Sequence, residues 1–233
     1  MHRFKDEPEK EKSIMSTAVE SLHESITFEE KRFRIKGITT ILGSVPLNKD
    51  VYSKFIATKA REIEKAAAEK DVDAVPDMPE EKATGFYRNA NGEIILKGYQ
   101  IKGFLKEAAK VLKDQMNLKA YLSKMDNFVF IKEAEIPVIK DGHTITETDG
   151  FLERPLRAET AQGPRTSLAK SEQITEGWEL EFTIRVVKNE KTAKSANVDM
   201  EMVEKLLAYG QLKGLLQWRN AGYGSFTCEE VVE

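Results

Sequence analysis

The sequence predicts an α+β fold: an antiparallel sheet with helices on one face. Three observations point there. Leu180, Phe182 and Ile184 alternate with Glu181, Thr183 and Arg185, the period of a half-buried strand. Two helical stripes follow a 3.6-residue period, one carrying Phe104, Leu105, Ala108, Val111, Leu112 and Met116, the other Met202, Val203, Leu206 and Leu207. Between them stand hairpin signals, Asn91-Gly92 and Asp141-Gly142. Helices interleaved with hairpins pack as sheet plus helix layer, and the split βαβ, ferredoxin-like plan is the nearest common solution.

The elements follow in order. Residues 1–30 are polar and acidic, a terminal extension in which Thr17-x-x-Glu20 has capping-box form and predicts a short helix over 17–24. From Phe33 the chain alternates Phe33 and Ile35 with Arg34 and Lys36, a strand with one basic face that ends at Gly43-Ser44-Val45-Pro46. Tyr52, Phe55, Ile56, Ile63 and Ala67 predict a helix over 51–70, and Asp71 to Thr84 reads as a surface loop. Together they suggest an insertion at about 57–84 within one domain spanning 31–233. Gly85 to Leu96 reads as a hairpin with a type I′ turn at Asn91-Gly92. Gly98 to Gly103 then leads into the first clear helix. Phe128-Val-Phe-Ile131 is a short buried strand, and Ile136 to Ile145 a second hairpin. Residues 147–175 are polar and arginine-bearing, a projecting thumb-like loop or loose hairpin. The strand at 180–187, a polar loop at 188–198, a helix at 199–209 and a strand from Phe226 complete the chain.

The chain has 233 residues, enough for one large domain. No run approaches the ~20 apolar residues of a membrane helix, so no membrane partner is expected, and the charged N-terminus predicts a cytoplasmic protein. Cys228 is the sole cysteine, which excludes an intrachain disulfide and a cysteine-based zinc site. His2, His23 and His143 are scattered, against a histidine metal site or a Ser–His nucleophile. No metal and no cofactor are expected. The net charge of −3 argues against a high-capacity nucleic-acid binder but permits a local basic groove.

The segment Gly210 to Phe226 carries the most chemistry. Gly210, Gly214, Gly222 and Gly224 surround Trp218, Arg219, Asn220 and Tyr223. Such a loop can offer amides to an anion and rings to a base, and it serves equally as a plain helix-to-strand corner. Gly98 and Gly103 lack the Lys-Ser/Thr of a Walker loop, which excludes nucleotide hydrolysis by that route. Lys102 and the amides near Gly103 could still hold a phosphate at a helix start. Arg154, Arg157, Arg165 and Lys170 offer guanidinium and ammonium groups to phosphate, or pair locally with Glu147, Glu153, Glu159 and Glu172. Asp50 is the acid to watch, with Asp149 and Glu153 behind it.

In this order the motifs resemble the RAMP superfamily, the RRM-like proteins of CRISPR effector complexes, and in particular the backbone subunits that line a guide RNA. The resemblance rests on the strand and turn of Phe33 to Ser44 and on Ile95 to Lys106, with Lys102, Gly103 and Lys106. It rests also on the arginines of 154–165 before Gly177 to Ile184, and on the helix, glycine loop and strand of Leu206 to Val231. It implies a ferredoxin-like, RRM-like sheet, binding of single-stranded RNA (or single-stranded DNA) along its backbone, head-to-tail packing of copies, and assembly with other CRISPR effector subunits. By that reading Lys102, Gly103 and Lys106 hold one phosphate. Arg219, Asn220, Gly222 and Gly224 hold another, Trp218 or Tyr223 stacks on a base, and Arg154, Arg157 and Arg165 clamp. The protein then reads as non-enzymatic. The alternatives are a metal-dependent ribonuclease using Asp50, and a phage or mobile-element interaction and anti-defence module of the same fold.

Overall fold

A computed structural model describes residues 27–47, 83–160, 163–188 and 198–232, with backbone alone for 156–160 and 163–168. The predicted helices over 17–24 and 51–70, most of the 71–84 loop, Asp50, His2 and His23 lie outside the described residues. The strands are β1 (Phe28–Gly37), β2 (Ile41–Leu42), β3 (Val45–Pro46), β4 (Ala83–Gly85), β5 (Tyr87–Arg88), β6 (Ile94–Lys97), β7 (Val129–Ile131), β8 (Glu135–Pro137), β9 (Ile139–Lys140), β10 (His143–Thr144), β11 (Phe151–Thr160), β12 (Gly163–Ile174), β13 (Glu179–Val187) and β14 (Phe226–Glu230). The helices are α1 (Gly98–Leu112), α2 (Tyr121–Phe128) and α3 (Met200–Ala208).

The chain is an α+β protein built on an antiparallel sheet. β1 pairs with both β13 and β14, and β13 pairs on its other side with β7 and β9, every pairing antiparallel. Following β1, α1, β7, β13, α3 and β14 in sequence gives the spatial order β14-β1-β13-β7, which is the ferredoxin-like plan. Phe33, Ile35, Leu180, Phe182, Ile184 and Phe226 face the helices and are buried. Against them α1 sets Ile101, Phe104, Leu105, Ala108 and Ala109, spaced as one helical stripe, and Phe104 meets Phe226 edge-on at 5.1 Å between ring centres. α3 contributes Met202, Val203, Leu206 and Leu207, as its periodicity predicts, and its N-cap Asp199 accepts the Met202 amide at 2.9 Å.

Local differences from the expected elements have identifiable causes. α1 begins at Gly98, where the Gln100 side chain accepts the Lys97 amide at 2.8 Å. Gly103 therefore sits in its second turn, within the hydrogen-bond ladder and away from the four orphan amides of a helix start. Asp141 (φ 53°) and Gly142 (φ 79°) form the type I′ hairpin that their pair predicts. Asn91-Gly92 does not: Gly92 alone is left-handed (φ 80°), its amide bonds to Asn89 O at 3.0 Å, and the Asn89 side chain accepts from both Asn91 and Glu93. The local Asx bonds select a type I turn closed by a left-handed glycine.

Of the two forms expected for 147–175, a projecting loop or a loose hairpin, the structure shows the hairpin, as a regular antiparallel ribbon. β11 and β12 pair without interruption from Phe151↔Glu172 to Thr160↔Gly163. Its base is anchored by β2 at Gln173 and Ile174 and by β4, running parallel, at Lys170 and Ser171. The Gln173 carbonyl accepts from Asp149 and its amide donates to Gly150, which fixes the alternation along the ladder. Pro155 and Pro164 both fall where the missing amide would point away from the partner strand, so neither removes a ladder bond.

Candidate nucleic-acid interface

The glycine segment folds as a closed loop stitched to the turn after β1. The Leu215 amide donates to Gly224 O at 2.9 Å, and a Cβ at Gly214 would stand 2.1 Å from Tyr223 O, so only glycine allows the closure. Thr39 Oγ1 donates to Gly222 O at 2.9 Å and accepts from the Ser225 amide at 3.0 Å. Gly224 donates its amide to Thr40 O, and Gly222 donates to Arg219 O. These two amides are engaged within the loop and its anchoring turn.

Leu216 (φ 61°) and Trp218 (φ 55°) are left-handed non-glycine residues, a conformation costing roughly 1–3 kcal/mol each. The loop closure holds them there and presents Trp218 beside Tyr223, their rings edge-on with centres 6.1 Å apart. The Arg154 guanidinium, from β11, lies 5.6 Å from the centre of the Trp218 ring. Below, the Gln217 side chain lies 2.8 Å from Thr84 Oγ1 and 2.9 Å from the fully buried Ser171 Oγ, tying the loop to β4 and to the base of the ribbon. Next to Trp218, Arg219 Nη2 pairs with Glu107 Oε2 of α1 at 2.6 Å, and Lys213 Nζ pairs with Glu107 Oε1 at 2.5 Å.

The structure thus brings Arg154, Trp218, Arg219 and Tyr223 together, with Asn220 exposed in the same loop. Gly103 lies one turn before Glu107 on α1, and among the described residues no atom comes within 4 Å of where a Cβ would project. Lys102 and Lys106 point elsewhere. At ~100° per residue, Lys102 is about 140° around the helix from Glu107. Its ammonium bonds to Val129 O and lies 5.2 Å from the Phe130 ring centre, and burial lowers its pKa. Lys106 bonds both oxygens of Asp126 of α2, at 2.8 and 2.9 Å. Arg157 and Arg165 lie farther along the ribbon, opposite Thr166 and Ala158 respectively. Lys213 and Glu107 are additions that sequence reasoning missed, because a carboxylate on a helix and a lysine in a distant loop give no joint signal.

The basic face predicted for β1 is present but neutralised. Register sets Arg34 opposite Glu181, Lys36 opposite Glu179 and Glu30 opposite Arg185. The pairs close at 2.6 Å for Arg34–Glu181, 3.0 Å for Lys36–Glu179 and 2.5 Å for Arg185–Glu30, while Glu229 of β14 reaches Arg34 at 3.4 Å. Arg34 holds the Glu181 carboxyl below the usual carboxylate range, and Arg185 with Lys132 does the same for Glu30. The sheet face away from the helices therefore carries balanced charge, while Arg154, Trp218, Arg219 and Tyr223 gather at the α1, ribbon and glycine-loop junction.

Among the described residues no group of three or more His, Cys, Asp or Glu side chains is placed to hold a metal, and no helix is long and apolar enough to cross a membrane. Asp149, weighed as a candidate acid, accepts from Lys140 at 2.7 Å and from the Thr175 hydroxyl and amide at 2.6 and 2.8 Å. These bonds lower its pKa to about 2 and tie the ribbon base to β9. His143 Nδ1 lies 2.9 Å from Asp141 O, inside its own turn.

No family model matches the chain, and no curated protein matches it in sequence. Among solved structures it is similar to a chain of "Type III-B Cmr-beta bound to cognate target RNA", at 13% identity and TM-score 0.45, covering 98% of this chain and 69% of that one. It is also similar to a chain of a "Type IV-B CRISPR Complex", at 10% identity and TM-score 0.47, covering 88% of this chain and 91% of that one.

Proposed function

We propose that the protein binds the backbone of a single-stranded nucleic acid, RNA in the first instance, and that copies pack head to tail along it. The observation that carries this reading is the meeting of Arg154, Trp218, Tyr223 and Arg219 at one place, from a ribbon and a loop far apart in sequence. Trp218 and Tyr223 offer π-faces to a splayed base, each stack worth ~1–3 kcal/mol. Arg154 and Arg219 supply guanidinium forks for flanking phosphates. The ribbon carries Arg157 and Arg165 farther along its length. In this reading the protein works without catalysis, in the cytoplasm.

Titration of labelled single-stranded RNA, single-stranded DNA and duplex by fluorescence anisotropy, at two salt concentrations, tests the proposal. Single strands should bind with affinity that falls as salt rises, and longer strands should recruit several copies by sedimentation velocity. Absence of binding to single strands at low salt overturns the reading.

A further inference from the structure

We infer that Lys213 and Arg219 form a phosphodiester site which the Glu107 carboxylate occupies in the free protein, so that Glu107 sets the threshold for ligand entry. The inference rests on the nucleic-acid reading above and identifies one of its contacts.

The geometry is that of a fork holding two cations. Glu107 places Oε1 on Lys213 and Oε2 on Arg219, one oxygen to each cation, at 2.5 and 2.6 Å. A phosphodiester carries one negative charge and two non-bridging oxygens, and it can accept from the same two donors in the same way. All three side chains are partly sheltered, with 20% of Lys213, 24% of Glu107 and 36% of Arg219 exposed. Their attraction is therefore less screened than that of a fully exposed pair. Two cations share one carboxylate, which leaves one positive charge uncompensated within the group. Trp218 precedes Arg219 in the chain, so a base stacked on its ring brings a phosphate beside the guanidinium. Among the described residues no atom fills the space above Gly103, one turn before Glu107 on α1. A strand entering there meets a carboxylate already seated on the cations. Exchange of carboxylate for phosphate keeps both cations paired and costs the release of Glu107 to solvent. Weak or isolated anions fail to displace it, whereas a polymer held also by Arg154 and Trp218 succeeds.

The test compares wild type with Glu107→Gln for binding of labelled single-stranded RNA over a salt series. Glu229→Gln, on the opposite face of the sheet, makes the same change in net charge. Glu107→Gln should bind about five- to tenfold more tightly. Its plot of log affinity against log salt should keep the wild-type slope, because the same phosphates are neutralised in both proteins. Glu229→Gln should match wild type, and Arg219→Met in the Glu107→Gln background should abolish the gain. If Glu107→Gln misfolds by circular dichroism, Glu107→Ser replaces it with the same expectation. If wild type binds and Glu107→Gln binds no more tightly, or Glu229→Gln gains equally, the gate is overturned and the nucleic-acid reading stands. If neither wild type nor Glu107→Gln binds at low salt, both fall.

Discussion

Glu172 of β12 and Arg88 of β5 form an ion pair, Arg88 Nη2 standing 2.9 Å from Glu172 Oε1, with the acid almost wholly buried. The other carboxylate oxygen accepts the Phe86 amide at 3.0 Å. This carboxylate joins the base of the ribbon to the β5–β6 hairpin. Replacing it with alanine strands a guanidinium and a buried amide, so Glu172→Ala should lose about 3 kcal/mol of stability. Urea unfolding followed by tryptophan fluorescence reads this directly, and a loss below about 1 kcal/mol would show that water replaces the carboxylate.

Gly37 ends β1 against the face of Trp178. A Cβ there would stand 2.1 Å from the indole, whose Nε1 donates to Thr39 O at 2.8 Å and whose ring is fully buried. Gly37→Ala should cost about 3 kcal/mol, because the ring has nowhere to retreat without breaking that bond. The turn it displaces also carries Thr39, which holds the glycine loop, so nucleic-acid affinity should fall together with the unfolding midpoint.

Trp218→Ala removes a partly exposed ring whose contacts are Tyr223 and Arg154. Stability should change little, while single-strand affinity falls about 5- to 150-fold, the equivalent of ~1–3 kcal/mol for one stacked base. Trp218→Phe should recover part of it. Equal affinity in all three proteins would remove Trp218 from the interface.

Asp149 has its pKa lowered from 3.8 to about 2 by its bonds to Lys140 and Thr175. A carboxyl whose folded pKa is depressed contributes stability above its unfolded pKa, and that contribution is lost as pH falls through the folded value. Discounted for solvent exposure, the contribution at neutral pH is about 1 kcal/mol. Asp149→Asn should therefore be about 1 kcal/mol less stable than wild type at pH 7. The two should converge between pH 4 and pH 2 in denaturant titrations.

The main strands and both long helices were legible because each buries one regular stripe. α2 was not: of its eight residues Met125 alone is fully buried, and Leu122 is half exposed, so no period stands out. For the ribbon, polar residues and few strand formers leave a projecting loop and a loose hairpin both open, and the structure selects the hairpin. It is held by pairing between its own strands, which composition does not reveal. Of the candidate site, Trp218, Arg219 and Arg154 were named from residue type and loop context. Lys102 is expected at the site from a helix start near Gly103, and Lys106 from the family resemblance. With the start at Gly98, their side chains turn toward α2 and β7. The neutral sheet face depends on register between strands nearly 150 residues apart, information that no local pattern carries.

The two prolines of the ribbon also govern what it can join. Each free edge of a two-stranded sheet is a template for a third strand, and Pro155 and Pro164 each withhold a donor on such an edge. A passing extended chain finds gaps in the row it would have to zip onto. The arm can therefore reach out from the body of the protein without seeding fibrous self-association, and its encounters are left to side chains.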